Sequence, residues 1–258
     1  MHILTFTRRA LAGAFGLAIS FALATAADAQ QVERDTQVLS QELAGRLDGF
    51  SYQEGQTSTL EFRGTSIALR AEGDADVKFE DGRSRIKADV KGLPEPADLG
   101  PFATYVLWAV TADGNSNNVG SIEVKNGKGD LEATTPLSQF ALIVTAEPHF
   151  AVTAPSRAIV LQNLGKRVRG QKFNVAGLKQ RMDYSEIAPQ TIDEDEDLPS
   201  DLVQARYAVA IAEESGANQF ASNDFQRAKG LLGQAETAQA DKSYRVRGQA
   251  PQLARAAV

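Results

Sequence analysis

Glu147 and His149 stand two residues apart in Glu147-Pro148-His149-Phe150. A carboxylate beside an imidazole is the pairing that general acid–base catalysis uses. Residues two apart on a strand share a face, but Pro148 makes this a turn, and no third group is placed to orient the ring. A structural role is therefore the expectation for both. Tyr105 and Trp108 would form a sugar-stacking platform if they faced solvent; inside the apolar run Tyr105–Val110 they read as core. The stretch 114–120, Gly-Asn-Ser-Asn-Asn-Val-Gly, has the glycines of a phosphate loop but leads into no helix, so it reads as a hairpin loop. Asp193-Glu194-Asp195-Glu196-Asp197 invites a calcium reading. It lacks the glycine and the alternate-residue spacing of a calcium loop, and reads as a charged hinge.

Counts remove further chemistries. The 258 residues contain no cysteine and two histidines. That excludes a disulfide framework, a thiolate metal site and a cysteine nucleophile. One histidine is His2, in a segment expected to be removed, so His149 stands alone and a multi-histidine metal site is excluded. No Gly-x-Ser-x-Gly elbow occurs. Lys166, Arg167, Arg169 and Lys172 form a basic cluster, but the net charge is −6 and no aromatics interleave. A solvated linker, not a nucleic-acid surface, is expected there. No catalytic, cofactor-binding or metal residue is assigned, and no cofactor is expected.

The N-terminus carries an address. Arg8 and Arg9 precede the apolar run Ala10–Ala24, and Ala27-Asp28-Ala29 offers small residues for a signal peptidase. Cleavage is expected after Ala29. The run is shorter than the roughly 20 residues of a membrane span, so no integral span is expected after cleavage. The paired arginines fit a twin-arginine signal, and any positive n-region fits the general secretory route. Both lead to the periplasm.

The elements behind these residues follow from periodicity. From Leu60 to about Leu161 the apolar period is two. Val77 and Phe79 alternate with Lys78 and Glu80; Ile86, Ala88 and Val90 alternate with charged neighbours; Asp81-Gly82 joins the runs as a tight hairpin. Asn126-Gly127 predicts a second hairpin. Tyr105–Val110 and Phe140–Val144 are apolar on both faces, as central strands are. With Leu60–Arg63, Ile67–Arg70 and Ala158–Leu161, about eight or nine strands result, and turns recur every 8–14 residues as in an immunoglobulin-like sandwich. Past Pro199 the period becomes 3.6. Leu202, Ala205, Val209 and Ala212 share one helical face, with Ser200 or Asp201 as cap and Gly216 as stop. A second helix runs from Ser222 or Asn223 to about Ala240, with Phe225, Ala228, Leu231 or Leu232, Ala235 and Ala238 on its apolar face. The pair forms an antiparallel hairpin whose alanine seam buries little area and needs a third helix or a partner. A third helix begins near Pro251, and the C-terminus reads as interrupted.

The expected fold class is α+β and multidomain. It comprises a signal peptide (1–29), a lead-in (30–58) in which a short helix or a flexible segment both fit, an immunoglobulin-like antiparallel β-sandwich (59–162), a charged linker (163–198) and an α-helical hairpin domain (199–258), read as cut short. The run Tyr105–Gly114, the Gly120 strand, Thr134-Thr-Pro-Leu137 and Phe140–Pro148 resemble a bacterial envelope family. In that family a β domain precedes a helical domain of unknown function, often followed by an OmpA-like peptidoglycan-binding domain. The Tyr-x-Leu-Trp strand is also similar to the extracytoplasmic β domain of anti-sigma-K factors. The pattern Ala205, Ala208, Ala212, Gly216-Ala217, Phe225, Ala228, Leu231-Leu232 and Ala235-Glu236 resembles that helical domain. The resemblance covers about 60–162 and 199–258. No OmpA-like segment lies within the sequence, so peptidoglycan binding is carried to no residue. The resemblance implies an envelope protein without an assigned reaction. The functional expectation is an exported, non-enzymatic scaffold or interaction module whose partner is an envelope protein or a second copy bound through the alanine-rich helices. The alternative is a periplasmic peptidoglycan- or carbohydrate-binding protein.

Overall fold

The computed structural model describes residues 47–190 and 198–258. The expected signal peptide, residues 30–46 of the lead-in and the acidic run 193–197 lie outside the described residues. Ten strands come first: β1 Asp48–Ser51, β2 Thr57–Gly64, β3 Glu72–Glu80, β4 Arg83–Lys91, β5 Thr104–Val110, β6 Ser116–Lys125, β7 Lys128–Thr135, β8 Gln139–Glu147, β9 Ile159–Arg167 and β10 Lys172–Asn174. Five helices follow: α1 Ser200–Glu214, α2 Ala217–Phe220, α3 Ser222–Ala240, α4 Tyr244–Arg247 and α5 Ala250–Ala257.

The expected sandwich is overturned. Eight strands pair antiparallel in the order β8-β5-β6-β7-β4-β3-β2-β9, and β9 pairs back onto β8, which closes a barrel. The closing strand is β9. Its Gln162 stands opposite Arg63 of β2 on one edge and opposite Ile143 of β8 on the other. Alternation of apolar and polar residues is the same in a sandwich wall and a barrel wall, so periodicity cannot tell them apart. Closure depends on whether the last strand reaches both edges, and closure leaves no edge exposed. Ladder irregularities at Thr59/Leu60, Leu107/Trp108 and Val144/Thr145 supply places for the sheet to bend. The short strands β1 and β10 extend the sheet from β8 outside the ring.

Both expected hairpins form. Asp81 and Gly82 adopt φ of 54° and 71°, and Asn126 and Gly127 adopt 52° and 71°. These are the left-handed conformations that a two-residue turn requires. The expected strand at Ile67–Arg70 does not form; it is a loop in which Ala68 donates to the carbonyl of Thr65 and Ala71 to that of Ala68. The hydrogen bonds of these local turns stand where a strand would need ladder partners. The expected hairpin loop 114–120 is mostly strand, since β6 starts at Ser116.

Leu60, Phe62, Val77, Ile86, Tyr105, Leu107, Ile122, Phe140, Leu142 and Leu161 are buried and fill the barrel. The opposite face of β5 and β8 is buried too, which explains their double-sided apolarity. Val106, Trp108 and Val110 pair with Thr145, Ile143 and Ala141 on the outward face. Residues 175–187 form a strap over this face. It runs from the β5–β6 turn, where Ala176 and Lys179 donate to the carbonyls of Ala112 and Gly114, to Phe102, against which the Tyr184 ring stands edge-on at 6.4 Å. Gly114 (φ +84°) permits this approach, because a Cβ there would lie 1.9 Å from the carbonyl oxygen of Gly177.

The two main helices match their sequence signals closely. Ser200 does not cap α1, however. Its hydroxyl donates to the carbonyl of Ala103 at 3.1 Å and so ties the helix to the barrel. The alanine seam finds its third member within the chain. Leu202 and Ala205 of α1, Ala235 of α3 and Ala254 and Ala257 of α5 form one small core. Among the described residues, no helix is long and apolar enough to cross a membrane.

Candidate functional site

Glu147 closes β8 and is fully buried on the outward face, beneath the strap. The Trp108 indole Nε1 donates to Thr145 Oγ1 at 2.7 Å, Thr145 donates in turn to Glu147 Oε1, and the Ser156 amide donates to the same oxygen at 2.7 Å. Glu147 Oε2 has no partner. Burial, partly offset by the Ser156 and Thr145 hydrogen bonds, pushes this carboxyl up to about 8. His149 is half-buried with Nδ1 unpartnered, and burial lowers it to about 4. The two groups do not form an acid–base pair: the carboxyl is sealed from solvent, and the imidazole is held neutral. Tyr105 and Trp108 are likewise buried, so they offer no sugar platform. Tyr105 faces the barrel interior and donates from Oη to the carbonyl of Pro94 at 2.8 Å. Burial, then the charges of Glu95 and Asp98, raises its hydroxyl pKa.

The accessible site is elsewhere. A groove of about 1470 Å³ lies between the outward face of β4, β6 and β7 and the helices α1 and α5. Its walls include Phe102, Val203, Tyr207 and Arg255, and its floor is charged. In-register pairing sets one row of carboxylates across the floor. Asp74 of β3 stands opposite Asp89 of β4, Asp89 opposite Asp130 of β7, and Asp130 opposite Glu123 of β6. Like charges directly opposite on neighbouring strands are destabilising. The ends of the row are compensated: Lys166 reaches Asp74 at 2.8 Å and Arg255 reaches Glu123 at 2.9 Å. Asp89 and Asp130, in the middle, meet no cation among the described residues. Seven carboxylates line the groove against four Lys or Arg, so its field is negative. Among the described residues no cluster has the arrangement of a metal site.

Arg255 is the joint between floor and helices. It bridges Glu123 of β6 and Asp201 of α1 (2.8 Å), and its guanidinium lies 5.6 Å from the centre of the Phe150 ring. The Phe150 amide donates to Gln204 Oε1 of α1 at 2.9 Å. The two lysines of the basic cluster are paired locally: Lys166 with Asp74 and Lys172 with Asp48 at 2.6 Å.

Sequence reasoning missed the carboxylate row, although part of its signal was present. The two turns fix Asp74 opposite Asp89 and Glu123 opposite Asp130; only the pairing of β4 with β7 is non-local. The chain matches no family model and no curated protein. The resemblance to the envelope family therefore rests on the quoted residues alone.

Proposed function

We propose that the protein is an exported, non-enzymatic cell-envelope interaction module that binds its partner in the groove between barrel and helices. The observation that carries this reading is the groove itself, a broad, open and negatively charged cleft with an uncompensated carboxylate pair on its floor. Binding sites are typically concave and built at such junctions between packed units. In the one acid–base candidate of the sequence the Glu147 carboxyl is sealed beneath the strap, which favours binding over catalysis. Export rests on Arg8, Arg9, the apolar run to Ala24 and Ala27-Asp28-Ala29. The envelope-family resemblance agrees with that address.

Photo-crosslinking in intact producing cells tests the reading. A photoreactive residue at Asp130 is expected to give one discrete adduct, and the same residue at Asp81, in the turn at the other end of β4, none. Equal adducts at both positions, or none at Asp130, would contradict it. Crosslinks to glycan strands instead of protein would favour the peptidoglycan alternative.

A further inference from the structure

We propose that the sheet face of β4, β7 and β6 on the groove floor binds an extended segment of a partner protein that carries an arginine and an acidic residue two positions apart. The occupant's chemistry rests on the groove reading. Strand register lays two charged rows side by side on this face. Asp89, Asp130 and Glu123, on β4, β7 and β6 in turn, form one row; Lys91, Lys128 and Lys125 form the next. All six are exposed and line the groove. Among the described residues no ion pair joins one row to the other: Lys91 is bonded to Glu72 of β3 at 2.9 Å, and Glu123 to Arg255. One step further along the strands the signs alternate across the sheet instead, and Lys87 bonds Glu132, directly opposite it, at 3.3 Å. The banding is therefore confined to the two rows inside the groove.

The rows are two residues apart along each strand, about 6.5–7 Å. Alternate residues of any extended chain have the same spacing and share one face. A segment laid along β4 and β7 thus sets residue i over one row and residue i+2 over the other. Complementarity places a cation over Asp89 and Asp130 and a carboxylate over Lys91 and Lys128. Arg-x-Glu satisfies both rows running one way, and Glu-x-Arg running the other. Arginine suits the acidic row better than lysine, and the chain's own Arg255 shows the fit. One of its guanidinium nitrogens meets Glu123 at 2.9 Å and another meets Asp201 at 2.8 Å, so a single planar group holds two carboxylates. Asp89 and Asp130 offer a second such pair, directly opposite each other on neighbouring strands, where Cβ atoms stand about 5 Å apart.

Short synthetic peptides test this on the full chain, with amide chemical shifts at low salt as the readout. Gly-Ser-Arg-Ser-Glu-Ser-Gly is compared with its isomer Gly-Ser-Arg-Glu-Ser-Ser-Gly, whose charges fall on opposite faces of an extended chain. The spaced peptide is expected to bind about tenfold more tightly, the gain of a few partly screened ion pairs. It should shift the amides of Val90 and Gly129, which lie between the rows. Asp89→Lys/Asp130→Lys should lose the preference. Adding Lys91→Asp/Lys128→Asp to that variant restores two rows of opposite sign in exchanged order, and the preference should return, which a fold damaged by the substitutions would not allow. Equal affinity for the two peptides would overturn the proposal, as would binding of neither, or a preference that the exchanged variant does not recover. The cross-link at Asp130 uses the cell's own partner. A discrete adduct there with indifferent peptides would keep the groove as binding surface and remove the banded occupant; a peptide preference without an adduct would do the reverse.

Discussion

Asp89 and Asp130 stand directly opposite each other on β4 and β7, with Asp74 and Glu123 continuing the row on either side. The ends of the row have cations and the middle has none among the described residues. Each such like-charge pair works against the ladder.

Neutralising the middle of the row should stabilise the fold. Asp130→Asn is expected to raise stability by about 0.2–1 kcal/mol in low salt, read from urea unfolding. The gain should shrink as salt is raised, since the groove is open and screening acts on exposed charges. A loss of stability would mean that Asp130 is compensated after all.

Arg255 holds α5 to both Glu123 and Asp201. Arg255→Ala is expected to cost about 1 kcal/mol, the scale of partly exposed ion pairs. It should also raise amide exchange in α1 and α5 while leaving the barrel strands protected. Uniform loosening of barrel and helices would show that the two do not separate as units.

The alanines of the helical core leave no room for growth. Ala205, Ala235 and Ala254 have no exposed surface. Ala254→Leu is expected to destabilise the helices by about 1–3 kcal/mol through overpacking. Trp108 emission, which reports on the barrel, should stay native. An unchanged melting curve would show that the seam is looser than these contacts indicate.

Two buried groups shape the pH profile in opposite senses. Glu147 is raised from 4.5 to about 8, so its contribution is complete below pH 4.5 and is lost as pH rises to about 8. His149 is lowered from 6.5 to about 4, so its contribution is complete above 6.5 and is lost as pH falls to about 4. Between pH 4.5 and 6.5 the two slopes cancel. From these groups, stability measured by urea unfolding should be flat there and fall on both sides. Asp113, lowered to about 2 chiefly by Lys179 and Thr111, adds its loss only below 3.8. Glu147→Gln should remove the alkaline limb and keep the acid one.

Much of this fold is written locally in the chain. Asp81-Gly82 and Asn126-Gly127 specify their turns through the φ values they tolerate, and the helices at 200–214 and 222–240 follow from a 3.6 period, the first stopped by Gly216. What was not legible is non-local. Nothing in the run Ile159–Arg167 announces that one strand reaches both β2 and β8, so sandwich and barrel were indistinguishable. Ser200 reads as a helix cap, yet its hydroxyl goes to Ala103, nearly a hundred residues away. Two of the three pairings in the carboxylate row could be drawn from the turns alone, and the pairing of β4 with β7 completed it. Glu147 could be named from sequence but not its burial, because the strap that seals it begins almost thirty residues later, at Val175.

The most direct test of the groove as binding surface is an affinity measurement. The partner captured at Asp130 should be titrated against the wild type, the Asp89→Lys/Asp130→Lys variant and the far-turn control Asp81→Lys. The account expects binding to weaken at least about tenfold in the double variant, a difference of about 1.4 kcal/mol, and to be unchanged in the control. Equal affinity for all three proteins would contradict it.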